Sequence, residues 1–337
     1  MARYIAGKKL FTANKKFPLV LMLEPLHRCN LHCTGCGRIR EYAGTLHQEL
    51  TVNECLDAVR ECNAPIVSIC GGEPLIYKDI AELVDRILND GRFIYLCTNG
   101  QLLEEKLGIF EQLAVSNRLV KKRLYWNVHL DGTAVVHDAI TERQGSFDKA
   151  LCGIAAAKQS GFRVYTNSTL YKQSTVDDLI HLAETLTARH IDGMMIAPGY
   201  GYDAVQQDKL QNAESFFLTR SETHRLFQEI RQRMRRFPLT ATPVFSDYLC
   251  GERELPCAAW ANPTRNIKGW RSPCYLIADT HYPSYQELLD KTDWTAIGFG
   301  KNVRCADCLM HCGYEPAAVL FGNRLRDLMR TAVWQMR

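Results

Sequence analysis

The chain has 337 residues, 46% of them hydrophobic and 23% charged, with a formal net charge of +4. That is an ordinary globular composition, too weakly basic by itself to mark a nucleic-acid binder. No apolar run reaches the roughly 18 residues of a spanning helix, and the basic start lacks the apolar stretch of a signal peptide, so a cytoplasmic chain with no nucleic-acid partner is expected.

The 14 cysteines argue against a disulfide scaffold, because the cytosol keeps thiols reduced. The length exceeds the roughly 250–300 residues that one hydrophobic core supports. The expected division is a basic arm over residues 1–18, a large α/β unit over 19–220 and a smaller cysteine-containing extension over 221–337. The arm sets Lys8, Lys9, Lys15 and Lys16 among Tyr4, Ile5, Leu10 and Phe11. Such a segment is either a solvated arm or a contact for an anionic membrane surface.

From residue 19 onward, short β-branched runs alternate with helical patterns, as in a parallel sheet with crossover helices. Strands are predicted at Leu19–Leu23, Ile66–Ile69, Phe93–Leu96, Leu124–Val128, Arg163–Tyr165 and Met194–Ile196. Thr51, with Glu54 three residues later, opens a helix with a capping box. Ile80–Leu88, Asp148–Ser160 and Val176–Ala188 carry apolar residues at helical spacing. Cys55, Cys62, Cys70, Cys152 and Cys250 read as scattered core thiols.

Each strand runs into a polar motif. The first meets Cys29, Cys33 and Cys36; the second, Gly71-Gly72-Glu73-Pro74; the third, Cys97-Thr98-Asn99-Gly100. His129-Leu130-Asp131-Gly132 follows the fourth, Thr166-Asn167-Ser168-Thr169 the fifth, and Pro198-Gly199-Tyr200 the sixth. Reactive groups collect at the C-terminal strand ends of β/α barrels. The fold expected is therefore α/β, a partial (β/α)6 TIM-like barrel with one polar mouth and a smaller Cys-rich C-terminal extension.

Three thiolates in one short loop can hold three irons of a 4Fe–4S cluster and leave the fourth open to a small chelator. The amino and carboxylate groups of S-adenosylmethionine fit that role. A zinc knuckle or disulfide loop is the plain alternative, but four-ligand zinc sites usually pair two Cys/His groups, and no second pair lies nearby. Two adjacent glycines let the backbone at Gly71-Gly72 approach a ligand closely. Asn99, Asn167 and Ser168 suit ribose hydroxyls and a carboxylate. His129 and Asp131 face the mouth if the strand phase is right, although such residues more often cap locally.

The C-x3-C-x2-C spacing resembles the radical S-adenosylmethionine superfamily, from the start of the chain to about residue 200. That resemblance implies a 4Fe–4S cluster, S-adenosylmethionine bound in part by Gly71–Pro74, and an electron donor such as flavodoxin or ferredoxin. A narrower resemblance, to the adenosyl-hopene transferases of hopanoid biosynthesis, covers nearly the whole chain. It rests on Cys29–Cys36, Gly71–Leu75, Tyr95–Asn99, Val128–Gly132 and Thr166–Thr169, and on the C-terminal blocks Pro263–Asn266, Pro273–Leu276 and Cys305–Pro316. It implies that the 5′-deoxyadenosyl radical adds to the terminal alkene of diploptene. Cys97, at the position to which that family assigns a hydrogen donor, would then quench the resulting tertiary radical. By residue type alone Cys97 reads as a core thiol. A lipid substrate also raises the odds of peripheral contact between the basic arm and the inner face of the membrane.

The extension carries Cys305-x2-Cys308-x3-Cys312, with Cys274 and then Cys257 upstream. An auxiliary iron–sulfur cluster and a structural zinc both fit such spacing. The match departs at the basic stretch Asn117–Tyr125, at residues 203–220, and at Gly100, where Ala is common. Two other readings stand beside it: a peptide-modifying radical enzyme with an auxiliary cluster, and a cluster-bearing electron carrier or regulator.

Overall fold

The structure is a computed structural model that describes residues 4–5, 7–8, 16–208, 216–322 and 325–335. Six parallel strands follow one another in the sheet: β1 (Val20–Leu23), β2 (Ile66–Ile69), β3 (Phe93–Thr98), β4 (Leu124–His129), β5 (Arg163–Leu170) and β6 (Gly193–Pro198). Each of β2 to β6 pairs in parallel with its predecessor, to which a crossover connects it, as in a partial (β/α)6 barrel. Three further strands extend the sheet beyond β1. β7 (Thr264–Asn266) pairs with it in parallel, and β8 (Gly269–Pro273) and β9 (Ala278–Tyr282) follow antiparallel.

Strand alternation sorts the side chains. Leu21, Leu23, Val67, Ile94, Leu96, Trp126, Val128 and Val164 are fully buried against Leu56, Val59, Leu83, Ile87, Phe110, Ile154 and Leu182 of the helices. The opposite face of β3, β4 and β5 carries half-buried Tyr95, Cys97, Tyr125, Asn127, His129, Tyr165 and Asn167, and this second face lines the barrel. Period-two alternation thus assigns one apolar wall to the core and one polar wall to the lumen. β5 runs to Leu170, further than expected. Its Thr166–Thr169 stretch continues the strand because a polar lumen face accepts those residues and β-branched Thr favours extended backbone.

The helix over Val52–Cys62 starts with the expected capping box between Thr51 and Glu54. Cys55, Cys62, Cys70 and Cys250 are buried, as expected, whereas Cys152 is exposed, on the outer side of the helix Ser146–Gln159. Of the basic arm, Tyr4 donates to the carbonyl of Pro18 at 2.9 Å and packs on Phe17; Lys9 and Lys15 lie outside the described residues. Within Asn117–Tyr125, Lys121 donates to the carbonyl of Ser160 and Arg123 to that of Gly91, so these cations serve the turns ahead of the strands. Part of residues 203–220 lies outside the described residues.

One buried charge network joins the end of β1 to the extension. Arg38 meets Glu24 at 2.6 Å and Glu41 at 2.9 Å, and donates to the carbonyl of Tyr275 at 2.5 Å. Arg271 holds Glu41 with two hydrogen bonds and donates to Tyr42 and to the carbonyls of Cys274 and Leu276. Burial opposes ionisation of Glu24, but the guanidinium of Arg38, with His27 and Arg271, holds its carboxyl down at about 2. Glu73, also fully buried, accepts from the N–H groups of Leu75 and Asn99 and from the Thr98 hydroxyl. With no cation beside it, burial lifts its carboxyl to about 7.

Removing one partner of a fully buried pair strands the other charge. Arg38→Ala is therefore expected to cost about 3–5 kcal/mol in urea denaturation of the metal-free chain. Arg28→Ala, which breaks the half-exposed pair with Glu49, is expected to cost less than about 1 kcal/mol. Equal costs would contradict the network. Because the Glu73 pKa is raised on folding, its contribution is complete below its ordinary value and declines as pH rises through about 7. Glu73→Gln should remove that part of the fall in the urea midpoint between acid and neutral pH, leaving the part due to Glu315, which burial raises likewise.

Candidate functional site

The cysteine loop lies over the C-terminal ends of the strands. Cys29 accepts from the N–H of Leu31 at 3.4 Å and from the Asn99 amide at 3.6 Å, and that amide also donates to Asn30 at 2.7 Å. Arg40 donates to the carbonyls of Cys33 and Cys36, closing the loop on itself. Cys33 lies within electrostatic reach of both Cys29 and Cys36, and of Asp131 at the end of β4. The loop, Asn99 and Asp131 therefore share one mouth, as the strand-end pattern predicts.

Gly71 and Gly72 press against the loop entrance. Gly71 has φ +112°, and a Cβ at Gly72 would sit 2.0 Å from the carbonyl oxygen of Arg28, so no larger residue fits there. The N–H of Gly72 donates to Leu26 and that of Glu73 to Arg28. These backbone groups thus fasten the cysteine loop to β2. Pro74 opens a short 3-10 turn, Pro74–Ile76, capped by the Glu73 carboxylate. Glu73 was expected to face the cofactor; it is instead an internal clamp, since both of its oxygens are used inside the protein.

His129 lies on the lumen side with Nε2 2.6 Å from Asp131, whose other oxygen accepts from the N–H of Thr169 at 2.6 Å. Burial alone would lower the His129 pKa; the neighbouring Asp131 carboxylate wins and raises it. Asn127 and Asn167 each keep a buried carbonyl oxygen without a hydrogen-bond partner. Asn167 pairs with His129 across β4 and β5, so acceptors for ribose or amino N–H and O–H groups stand on the lumen face. Ser168 does not join them. It is fully buried, and its hydroxyl donates to the carbonyl of Leu130 at 2.6 Å, because adjacent strand residues point to opposite faces.

Cys97 is on the lumen face of β3. Its Sγ is 3.3 Å from the Ser68 hydroxyl and accepts from the Asn127 amide at 3.7 Å. Burial pushes its pKa up, more strongly than Ser68 and Asn127 pull it down, so the sulfur carries a proton at neutral pH. Tyr95, Tyr125 and Tyr165 pack together with ring centroids 5.3–6.4 Å apart; Tyr95 and Tyr125 lie two residues before Cys97 and Asn127 on the same face. Asn127 was missed in the sequence, although its place two residues before His129 on β4 puts it on the same face.

A cluster fits the donor set of the loop. Burial raises Cys29 to about 12 and Cys33 further, so the thiols alone would stay protonated; metal coordination removes those protons. Among the described residues, no three Cys, His, Asp or Glu side chains converge on one ion-sized point. When bound, the cluster and S-adenosylmethionine supply one-electron reductive cleavage to a carbon radical.

Comparisons with known proteins agree with this geometry. The sequence pattern of the radical SAM superfamily matches residues 23–186, and that of a domain of unknown function (DUF3463) matches residues 194–331. The Fe-coproporphyrin III synthase of Methanosarcina barkeri is 29% identical over 172 residues, 50% of this chain and 40% of the synthase. The chain thus spans less than half the length of that relative. The PqqA peptide cyclase of Granulibacter bethesdensis is 25% identical over 308 residues, 86% of this chain and 77% of the cyclase. The crystal structure of Streptococcus suis SuiB bound to precursor peptide SuiA superposes with a TM-score of 0.64 at 17% identity, covering 91% of this chain and 73% of SuiB, a likeness of fold. With three cysteines over the mouth of a six-stranded parallel barrel and a superfamily match across that barrel, residues 23–186 belong to the radical SAM superfamily.

Proposed function

We propose that the chain makes a carbon–carbon bond, adding the 5′-deoxyadenosyl radical to the terminal alkene of a hopanoid lipid, diploptene, to give adenosylhopane. The observation that carries this reading is Cys97, a protonated thiol on the lumen face beneath the cofactor mouth. Addition to a 1,1-disubstituted alkene leaves a tertiary carbon radical. The S–H bond of Cys97 is weaker than the C–H bond formed, so hydrogen-atom transfer from Sγ runs downhill. One electron and one proton from the reductant, of the flavodoxin or ferredoxin class, then restore the thiol. Ser68 and Asn127 orient the thiol, and the rings of Tyr95, Tyr125 and Tyr165 offer an apolar floor to a polycyclic hydrocarbon. Asn99, His129, Asp131 and Asn167, with the Gly71–Pro74 turn holding the loop in place, would position S-adenosylmethionine.

No helix among the described residues is long and apolar enough to cross a membrane. Contact between the basic arm and a bilayer belongs to the same proposal, since the substrate is a lipid.

A second reading, hydrogen abstraction from a peptide or other substrate with the aid of an auxiliary centre, is favoured by the similarity to a peptide cyclase over 86% of this chain. Anaerobic incubation with S-adenosylmethionine, a reductant and diploptene, followed by mass analysis, separates the two. A product carrying the adenosyl group supports addition; free 5′-deoxyadenosine with no adduct supports abstraction. Cys97→Ala is expected to consume cofactor and couple it to the alkene while failing to yield the normal reduced product. An undiminished adenosylhopane yield from that variant would remove Cys97 from the mechanism.

A further inference from the structure

The helix His311–Phe321 starts at a cavity lined by Cys257, Cys274, Cys305, Cys308 and Cys312, the place an auxiliary centre would take. Its far end has a different character. Val319 and Phe321 are exposed there, and the helix that follows, Leu325–Gln335, is turned inside out. Apolar residues at 325, 328, 329, 332 and 333 fall on one stripe, at the spacing that ordinarily faces a core. Here the stripe faces water: Leu325 is 73% exposed, Leu328 56%, Met329 55% and Val333 52%.

The side turned to the protein is the charged one. Asp327 is buried and accepts two hydrogen bonds from Arg253, at 3.0 and 3.1 Å. Arg330 donates to both oxygens of Asp247, at 2.6 and 2.9 Å, on the helix Pro243–Leu249. These two pairs fix the roll of the helix. Rolling it to bury the apolar stripe would break both and strip buried Asp247 and Arg253 of these partners, which is costly. An exposed apolar patch rimmed by charge marks a contact surface.

What covers the patch follows from charge. Residues 316–337 carry Arg324, Arg326, Arg330 and Arg337 against one acid, Asp327, and residues 1–18 carry Arg3, Lys8, Lys9, Lys15 and Lys16 with none. Nine cations and one acid give these two ends a net +8 in a chain of net +4, so residues 19–315 are net −4. The two ends are neighbours in the fold. Tyr4, Ile5 and Phe17 of the arm pack in one cluster with Ala317 and Leu320, and Leu320 directly precedes the exposed Phe321. A second copy seated on the stripe through the same face would bring like charges together. An anionic bilayer complements both the apolar stripe and the cations of the two ends.

We infer that the helix Leu325–Gln335 docks on an anionic lipid bilayer, with Leu325, Leu328, Met329 and Val333 entering the headgroup boundary and the basic arm alongside. The sequence points to the arm alone for such a contact. The inference holds whichever substrate the barrel takes.

The test is co-sedimentation of the full chain, reconstituted with iron and sulfide without oxygen, with vesicles of phosphatidylcholine alone or mixed with phosphatidylglycerol. Binding to the mixed vesicles is expected, weakened by salt, and at least about tenfold weaker on phosphatidylcholine alone. Leu328→Gln combined with Met329→Gln keeps the charge and the helix-forming tendency but removes two apolar side chains. It should weaken binding to the mixed vesicles at least about tenfold. The urea midpoint should not move, because both side chains already stand in water. Binding by the double variant as tight as that of the wild type, with the arm intact, would place the contact on the arm and overturn the inference. So would no binding to the mixed vesicles, equal binding to both kinds, or a lowered urea midpoint, which would mean that the stripe packs against the protein. A wild-type dimer that the double variant loses, without vesicle binding, would overturn it in favour of a second copy.

Discussion

The Glu24–Arg38 ion pair is the contact on which the arrangement of the mouth depends. Both groups are buried, and removing two charges from water costs several kcal/mol each unless every donor and acceptor finds a partner. Here they do. Arg38 divides its guanidinium among Glu24, Glu41 and the Tyr275 carbonyl and lies over the Tyr275 ring at 4.1 Å. Arg271 completes the set with a two-pronged bond to Glu41. Arg38 is two residues from Cys36, and Tyr275 follows Cys274. A single charged network therefore fixes the cysteine loop of the barrel against the cysteine cavity of the extension.

Burial serves opposite ends at different sulfurs. Burial raises the pKa of Cys97 and of Cys29 and Cys33 alike. At Cys97 only two weak neutral hydrogen bonds, to Ser68 and Asn127, oppose the proton, so an S–H is kept. At the loop, the high intrinsic pKa means that metal must displace protons, and the energy of binding is spent partly on that step. Placement, more than residue type, separates a hydrogen donor from a ligand.

Much of this was legible in the sequence, and the exceptions have physical reasons. The six parallel strands show themselves through β-branched runs, and the mouth through the polar motif that follows each one. Alternation would also have exposed Asn127 and removed Ser168, but only with the strand phase and the full length of β5 in hand. Glu73 was expected at the cofactor because it stands in the Gly71–Pro74 motif; its three donors come from Thr98, Asn99 and Leu75, two of them 25 residues or more away in the chain. Glu24, Arg38 and Arg271 look like surface charges one at a time, and only the fold brings them together. β7 is three residues long, too short for any periodicity to reveal.

That short strand has a consequence for how the protein is made. β7 covers the open edge of β1, and Asn266 on it donates to Glu24, 242 residues earlier. At about 5–20 residues per second of synthesis, the platform beneath the cysteine loop stays bare along one side for roughly 10–50 s after β1 has left the ribosome. When β7 arrives, it shuts the edge and the charge network together. The platform of the cysteine loop is thus completed by a strand from the far end of the chain, and the barrel's first strand has its full set of neighbours only once the extension has been made.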